Sequence, residues 1–87
     1  MKAYFLRKFK KSYARRVLRD QALDKRFGER FLMFIQNPNH PLLRDHALRG
    51  EKKGLRSFSV TGDIRVTYFI EDNIAYFLDI GSHNQVF

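Results

Sequence analysis

Three histidines, His40, His46 and His83, are the only side chains of this chain whose ordinary pKa lies near neutrality. His40 and His46 fall in a Pro- and charge-rich stretch, and His83 follows the last apolar run. Two imidazoles converging on a basic face suit acid/base cleavage of RNA. One takes a 2′-hydroxyl proton and the other protonates the leaving oxygen. The ordinary alternative for a loop histidine is a solvated residue with no role. Metal ligation is not expected, because neither the histidine spacing nor the neighbouring acids make a recognisable ligand set.

Cationic residues are the second resource. Lys52 and Lys53, with Arg49 and Arg56 nearby, form a basic loop that either binds phosphate or is a solvated charge run. Arg65 sits in the middle of a predicted strand, so it must reach an open face or be paired. Asp79 is its expected structural partner. An arginine on a rigid strand also suits a phosphorane-like transition state, where its planar fork meets two oxygens. Asp63 lies beside Gly62 in the turn before Arg65, where Asp is commonly a turn former. Phe87, the last residue, either stacks on a base or covers the sheet edge.

These residues need elements to hold them. The segment from Lys8 to Arg19 sets basic residues around an apolar stripe of Phe9, Tyr13 and Val17, which is helical spacing. Asp20 is placed to cap a second helix, in which Leu23, Phe27, Phe31, Phe34 and Ile35 repeat at three- and four-residue steps until Asn37-Pro38 ends it. Residues 2–6 read either as a short strand before the helices or as part of the first one. Residues 37–54 read as a functional loop with at most a short turn around Leu42 to His46.

Three strands follow, over residues 55–60, 64–70 and 74–80, joined by short connections into an antiparallel meander. Alternation places Phe58, Val60, Ile64, Val66, Tyr68, Ile70, Ile74, Tyr76, Leu78 and Ile80 on one apolar face for the helices to cover. That requires three-residue loops in both hairpins, with Val60 opposite Ile64 and Ile70 opposite Ile74. Ser59 then opposes Arg65, and Arg65 opposes Asp79, on the second face. Phe69, Ala75 and Phe77 fall on that second face too. The fold class is α+β, two N-terminal helices packed on a small antiparallel sheet.

Eighty-seven residues leave room for one domain, residues 1–87. With 44% hydrophobic and 15% aromatic residues, nine Phe among them, a core is feasible at this size. No cysteine is present, which removes disulfides and fits a reducing cytoplasmic setting. Charge interrupts the N-terminus too early for a signal peptide, and no apolar run approaches membrane-spanning length, so a soluble, cytoplasmic protein is expected. Seventeen Lys and Arg against nine Asp and Glu give a net charge of +8. A polyanionic partner follows, nucleic acid first, with an acidic protein or an anionic membrane able to use the same field.

Four segments together resemble the YafQ branch of the RelE/ParE toxin superfamily. They are Asp45-His46-Ala47-Leu48-Arg49-Gly50, Gly54-Leu55-Arg56, Gly62-Asp63-Ile64-Arg65-Val66 and Gly81-Ser82-His83-Asn84-Gln85-Val86-Phe87. The resemblance implies a toxin that pairs with an antitoxin through an acidic segment, forms an oligomer with it, and cleaves mRNA in the 70S ribosome without a metal or other cofactor. It implies catalytic roles for His46, Asp63 and His83, with Phe87 at the site. Arg65 falls where RelE-type toxins place a catalytic arginine, and Lys52 or Lys53 where they place basic loop residues. Arg56 and Ser59 complete the expected substrate-binding set. Ser59 stands where the YafQ pattern carries a further histidine, and a serine is no general acid or base near neutral pH. Two other functions share the fold: a ParE-like, non-catalytic inhibitor of DNA gyrase, and a ribosome- or RNA-binding relic without cleavage.

Overall fold

In the computed structural model, which describes residues 1–87, the N-terminal residues choose strand over helix. Strand β1 (Lys2–Phe5) leads into helices α1 (Arg7–Arg16) and α2 (Gln21–Gln36). Asp20 caps α2 as its position predicts, accepting a hydrogen bond from the Leu23 amide at 3.1 Å. Strands β2 (His46–Ala47), β3 (Arg56–Ser59), β4 (Ile64–Glu71) and β5 (Ile74–Ser82) follow, and a single-turn helix α3 (His83–Val86) ends the chain. The sheet order is β1-β5-β4-β3-β2, with β1 parallel to β5 and every other pair antiparallel. The expected meander is there. It is widened to a mixed five-strand sheet by β1 on one side and the two-residue β2 on the other.

The first hairpin keeps the predicted register: Ser59 opposes Arg65, and the Val60 amide bonds the Ile64 carbonyl at 2.8 Å. The second departs from it twice. Glu71 pairs with Ile74 across a two-residue turn, Asp72-Asn73, in which both residues have positive φ (52° and 64°). Asn and Asp tolerate that region, and such a turn matches the twist of the flanking strands. A bulge then lies where Thr67 opposes Asp79 while Tyr68 opposes Phe77, leaving Leu78 unpaired.

Between turn and bulge the faces of β5 are exchanged. Phe77 and Ala75, expected on the second face, are fully buried in the core. Tyr76, expected inside, stacks on Phe69 at 5.1 Å with rings 15° apart, and the end of the hairpin leaves Ile70 46% exposed. Phe77 becomes the centre of an aromatic core, with Phe5, Phe9, Phe31, Phe34, Phe58 and Tyr68 around it at ring distances of 5.3–6.0 Å.

The same shift removes the expected Arg65–Asp79 pair, because Arg65 now opposes Gly81. Asp79 is instead held by the first helix. Strand β1 pairs with β5 only as far as Phe77, and α1 packs along β5 beyond that point. Arg16 Nη1 there donates to the Ile80 carbonyl at 3.0 Å and to Asp79 Oδ1 at 3.2 Å, with Lys8 Nζ 3.7 Å from Asp79 Oδ2. An interior carboxylate is tolerable on these terms, since it is paired and also accepts from the Ile80 amide at 2.9 Å. No helix is long and apolar enough to cross a membrane.

Candidate active site

Arg65 lies on β4, in the row Ser59–Arg65–Gly81. Its Nε donates to Ser57 Oγ at 2.7 Å, and its Nη2 donates to the Ser57 carbonyl at 3.1 Å and the Arg44 carbonyl at 3.0 Å. Nη2 also lies 3.3 Å from His46 Nδ1. All these acceptors are neutral. No carboxylate lies within ion-pair distance of this half-buried guanidinium, and Nη1 makes no hydrogen bond. Burial pushes its pKa down, Asp45 pushes it up, and the neighbouring Arg44 charge pushes it down again. An arginine stays cationic through such a shift, so the site holds an oriented positive charge that the protein does not neutralise.

The segment before β2 supports that arrangement. Arg44 has φ 47° and ψ 42°, the left-handed conformation that costs a non-glycine residue roughly 1–2 kcal/mol. Its carbonyl is thereby shared between Arg65 Nη2 and His46 Nδ1, the latter at 3.1 Å. Asp45 holds the turn in place. Its side chain, 6% exposed, takes Arg56 Nε at 2.8 Å and Nη2 at 2.7 Å and accepts from the Tyr68 hydroxyl. The hydrogen bond to Asp45 raises the Arg56 pKa, and burial first, then Asp45, raises that of Tyr68.

His46 Nδ1 faces both the Arg44 carbonyl, an acceptor, and Arg65 Nη2, a donor. In the tautomer that donates Nδ1–H to the Arg44 oxygen, Nε2 keeps a free lone pair, the form a general base requires. His46 is solvent-exposed on the edge strand β2, not in a loop as expected. His83 follows the last strand as expected but opens α3, so it lies inside a regular element, and its ring meets Phe87 edge-on at 4.7 Å. Both rings are exposed, and the His83–Phe87 pair is carried by α3 against β5 and β4. Gly81 allows that packing: a Cβ there would lie 2.6 Å from Gln85 Oε1 and 2.8 Å from Arg16 Nη1.

The other expected site residues are distributed more widely. Asp63 is exposed in the β3–β4 turn, where it lines a cleft with Asp20, Leu23 and Arg26 at the start of α2, and it makes no hydrogen bond to His46, Arg65 or His83. Lys52 and Lys53 are exposed at a 3-10 turn (Gly50–Lys52) and form no ion pair. Arg56 is committed to Asp45, so its place is in the support of the Arg44 turn. Ser59 is 7% exposed and donates its hydroxyl proton to the Thr61 carbonyl. His40 is a local cap, its Nδ1 accepting from the Leu42 amide at 3.1 Å. Ser57, Arg44, Asp45 and Tyr68 carry the site without having been singled out. Asp45 was visible only as the residue preceding His46, and a serine on a strand has no chemical signature.

A small mixed sheet covered by two N-terminal helices is a fold shared with solved bacterial toxins. A YoeB/ParE toxin from Agrobacterium tumefaciens superposes with a TM-score of 0.77 at 16% identity, covering 95% of this chain and 99% of that one. YafQ from Escherichia coli BL21(DE3) superposes with a TM-score of 0.80 at 22% identity, covering 98% of this chain and 96% of that one. A copper-bound mutant toxin from Helicobacter pylori is 27% identical, with a TM-score of 0.75 and coverage of 100% and 99%. No curated protein is significantly similar. The chain belongs to the YafQ family, bacterial toxins of type II toxin–antitoxin systems, which it matches over residues 1–87.

The metal in the H. pylori toxin raises the question of fit. No three His, Cys, Asp or Glu side chains of this chain come together as a metal-binding group. The residues here do not fit a centre built from three such ligands.

Proposed function

We propose that this toxin is a ribosome-dependent endoribonuclease that cleaves mRNA by in-line attack of a 2′-oxygen on the adjacent phosphate, with no metal in the step. Membership of the YafQ family supports endoribonuclease activity in general terms. The observation that carries the finer reading is Arg65: a half-buried cation oriented by Ser57 and by the Arg44 carbonyl, with no carboxylate partner and with His46 Nδ1 3.3 Å away. Such a fork meets the non-bridging oxygens of a phosphate as their charge grows in the transition state.

In this reading His46 Nε2 takes the 2′-hydroxyl proton as the 2′-oxygen bonds to phosphorus. The bond from phosphorus to the 5′-oxygen breaks, and His83 supplies the proton to that leaving oxygen. The products are a 2′,3′-cyclic phosphate and a free 5′-hydroxyl. Asp63, the other candidate base, makes no hydrogen bond or ion pair with Arg65, which favours His46. Phe87, against the His83 ring, offers a face for a base, and Lys52 and Lys53 supply field and phosphate contacts from the loop. The ribosome holds the mRNA, providing the positioning that so open a site lacks. An antitoxin with an acidic segment is the natural regulator of so basic a chain, as DinJ is found with YafQ in an E. coli complex that is 24% identical in the toxin.

Expression of the chain followed by primer-extension mapping of cellular mRNA tests the reading. New cleavages in translated frames, ending in cyclic phosphate and absent for Arg65→Ala, are expected. Growth arrest without such cleavages, or gyrase inhibition by the purified protein, would overturn it.

A further inference from the structure

A second cationic feature adjoins the site and belongs to none of the assigned roles. Arg26, Arg30, Arg44 and Leu42 surround a cavity of about 180 Å3 whose wall includes Ser59 and Thr61. That volume corresponds to about six waters, room for a phosphate group with part of its hydration. No acidic residue lines it. Arg30 and Arg44 have no ion-pair partner, and the one pair Arg26 makes, with Glu29 at 3.6 Å, is solvent-exposed and contributes little. Arg26 and Arg30 are four residues apart on α2 and so share one face of that helix.

The position of Arg44 joins this cavity to Arg65. Its carbonyl accepts from Arg65 at 3.0 Å while its side chain lines the cavity, and its charge is close enough to act on the Arg65 guanidinium. Arg30 and Arg44, which have no ion pair, and Arg26, whose one pair is solvent-exposed, leave an excess of positive charge around the cavity that an anion relieves. The small Ser59 side chain, its hydroxyl turned to the Thr61 carbonyl, leaves the cavity open. A larger residue at 59 would close it.

We infer that the Arg26–Arg30–Arg44 cavity is a subsite for an RNA phosphodiester, occupied by the phosphate that flanks the scissile one on the substrate strand. The inference rests on the proposed reaction for which phosphate is cut, but the binding itself does not require cleavage. RNA phosphates of the ribosome itself carry the same chemistry, so the two sources are separated by the test.

The probe is a 2′-O-methylated single-stranded oligoribonucleotide, which lacks the attacking hydroxyl, titrated across salt concentrations by fluorescence anisotropy. The double variant R26Q/R30Q is compared with R15Q/R19Q, which removes two charges elsewhere, and circular dichroism confirms that each is folded. The subsite predicts that R26Q/R30Q lowers affinity about tenfold at low salt and reduces the slope of log K against log salt by about 1.4 for two phosphate contacts on a single strand. R15Q/R19Q should leave that slope much less changed. Equal losses for the two doubles, or none for R26Q/R30Q, overturn the subsite. A loss confined to binding of mRNA-free ribosomes overturns the assignment to the substrate strand. Ser59→His, which fills the cavity without removing charge, should reproduce the R26Q/R30Q affinity loss with an unchanged fold. Because no arm reads cleavage, failure of the Arg65 chemistry and failure of the subsite give separate results.

Discussion

Arg65 illustrates how much a single side chain depends on the backbone around it. Its hydrogen bonds go to neutral groups of Ser57 and Arg44, which fix the guanidinium and leave its charge available. Arg65→Ala is expected to reduce cleavage about 100- to 1,000-fold and to cost about 1–3 kcal/mol of stability, because the buried Ser57 hydroxyl and carbonyl lose their donor. Arg65→Lys should recover little of it, since an ammonium cannot reproduce the bond to Ser57 Oγ and the fork together. Single-turnover cleavage on programmed ribosomes measures both, and wild-type rates for either would remove Arg65 from the mechanism.

The left-handed Arg44 gives a second residue-scale test. Arg44→Gly should keep the turn and the His46 tautomer, because glycine adopts positive φ without the steric cost. Asp45→Ala breaks the hold on Arg56 and Tyr68 together and should lose about 2–3 kcal/mol of stability. Nitrogen NMR of the His46 ring, read for protonated Nδ1, checks the first expectation, and chemical denaturation the second.

Between elements, the bulge in β5 has the largest consequences. By exchanging faces it sends Phe77 into the aromatic core and leaves Asp79 to Arg16 of α1. Arg16→Ala is expected to cost about 2–3 kcal/mol, the penalty for a buried carboxylate whose remaining cation, Lys8, is 3.7 Å away and mostly exposed. Gly81→Ala would push the Gln85 side chain, which caps α3 at the Ser82 amide, out of place, with a cost of about 1–3 kcal/mol and a weakened His83–Phe87 contact. Restoration of cleavage by the compensating Gln85→Ala would identify that clash as the cause.

Tyr68 links the core to the site through Asp45, and its folded pKa lies above the ordinary value of 10 because of burial and that bond. A raised folded pKa means that the stabilisation is complete below pH 10 and is lost as pH climbs beyond it. Tyr13, also raised by burial and by its bond to Asp24, adds to the same loss. Thermal unfolding should therefore fall off above pH 10, less steeply for Tyr68→Phe, and an identical slope for the variant would exclude Tyr68 as a contributor.

Over the whole molecule, charge and chemistry are separated. Residues 1–19 hold eight Lys and Arg and no acid, while residues 20–87 hold nine of each sign, so the entire excess of +8 lies in β1, α1 and the residues just after them. The candidate site owes its positive character to local arrangement, not to net charge. Neutralising Lys10 and Lys11 to Gln should weaken binding to ribosomes and flatten its salt dependence while leaving Tm nearly unchanged. An unaltered salt slope would show that α1 does not face RNA.

Much of this was readable in the residues themselves. Helical periodicity and the Asp20 cap located α1 and α2, because those signals are local and need only the spacing of neighbours along the chain. The three-residue Thr61-Gly62-Asp63 connection set the β3–β4 register, and the motif segments marked His46, Arg65 and His83. What the alternation of apolar residues could not reveal was the unpaired Leu78 and the two-residue Asp72-Asn73 turn. A run such as Ile74-Ala75-Tyr76-Phe77-Leu78 is apolar at every position, so either face can be buried and only packing against Phe34, Phe58 and the helices decides between them. The site divides in the same way. The chemical types of its histidines and arginines are properties of the sequence. The neutral cradle of Arg65, the left-handed Arg44 whose carbonyl serves two site residues, and the meeting of Arg26, Arg30 and Arg44 at one cavity exist only where distant segments touch. Tertiary structure alone decided them, because hydrogen-bond geometry depends on distances that no spacing along the chain specifies.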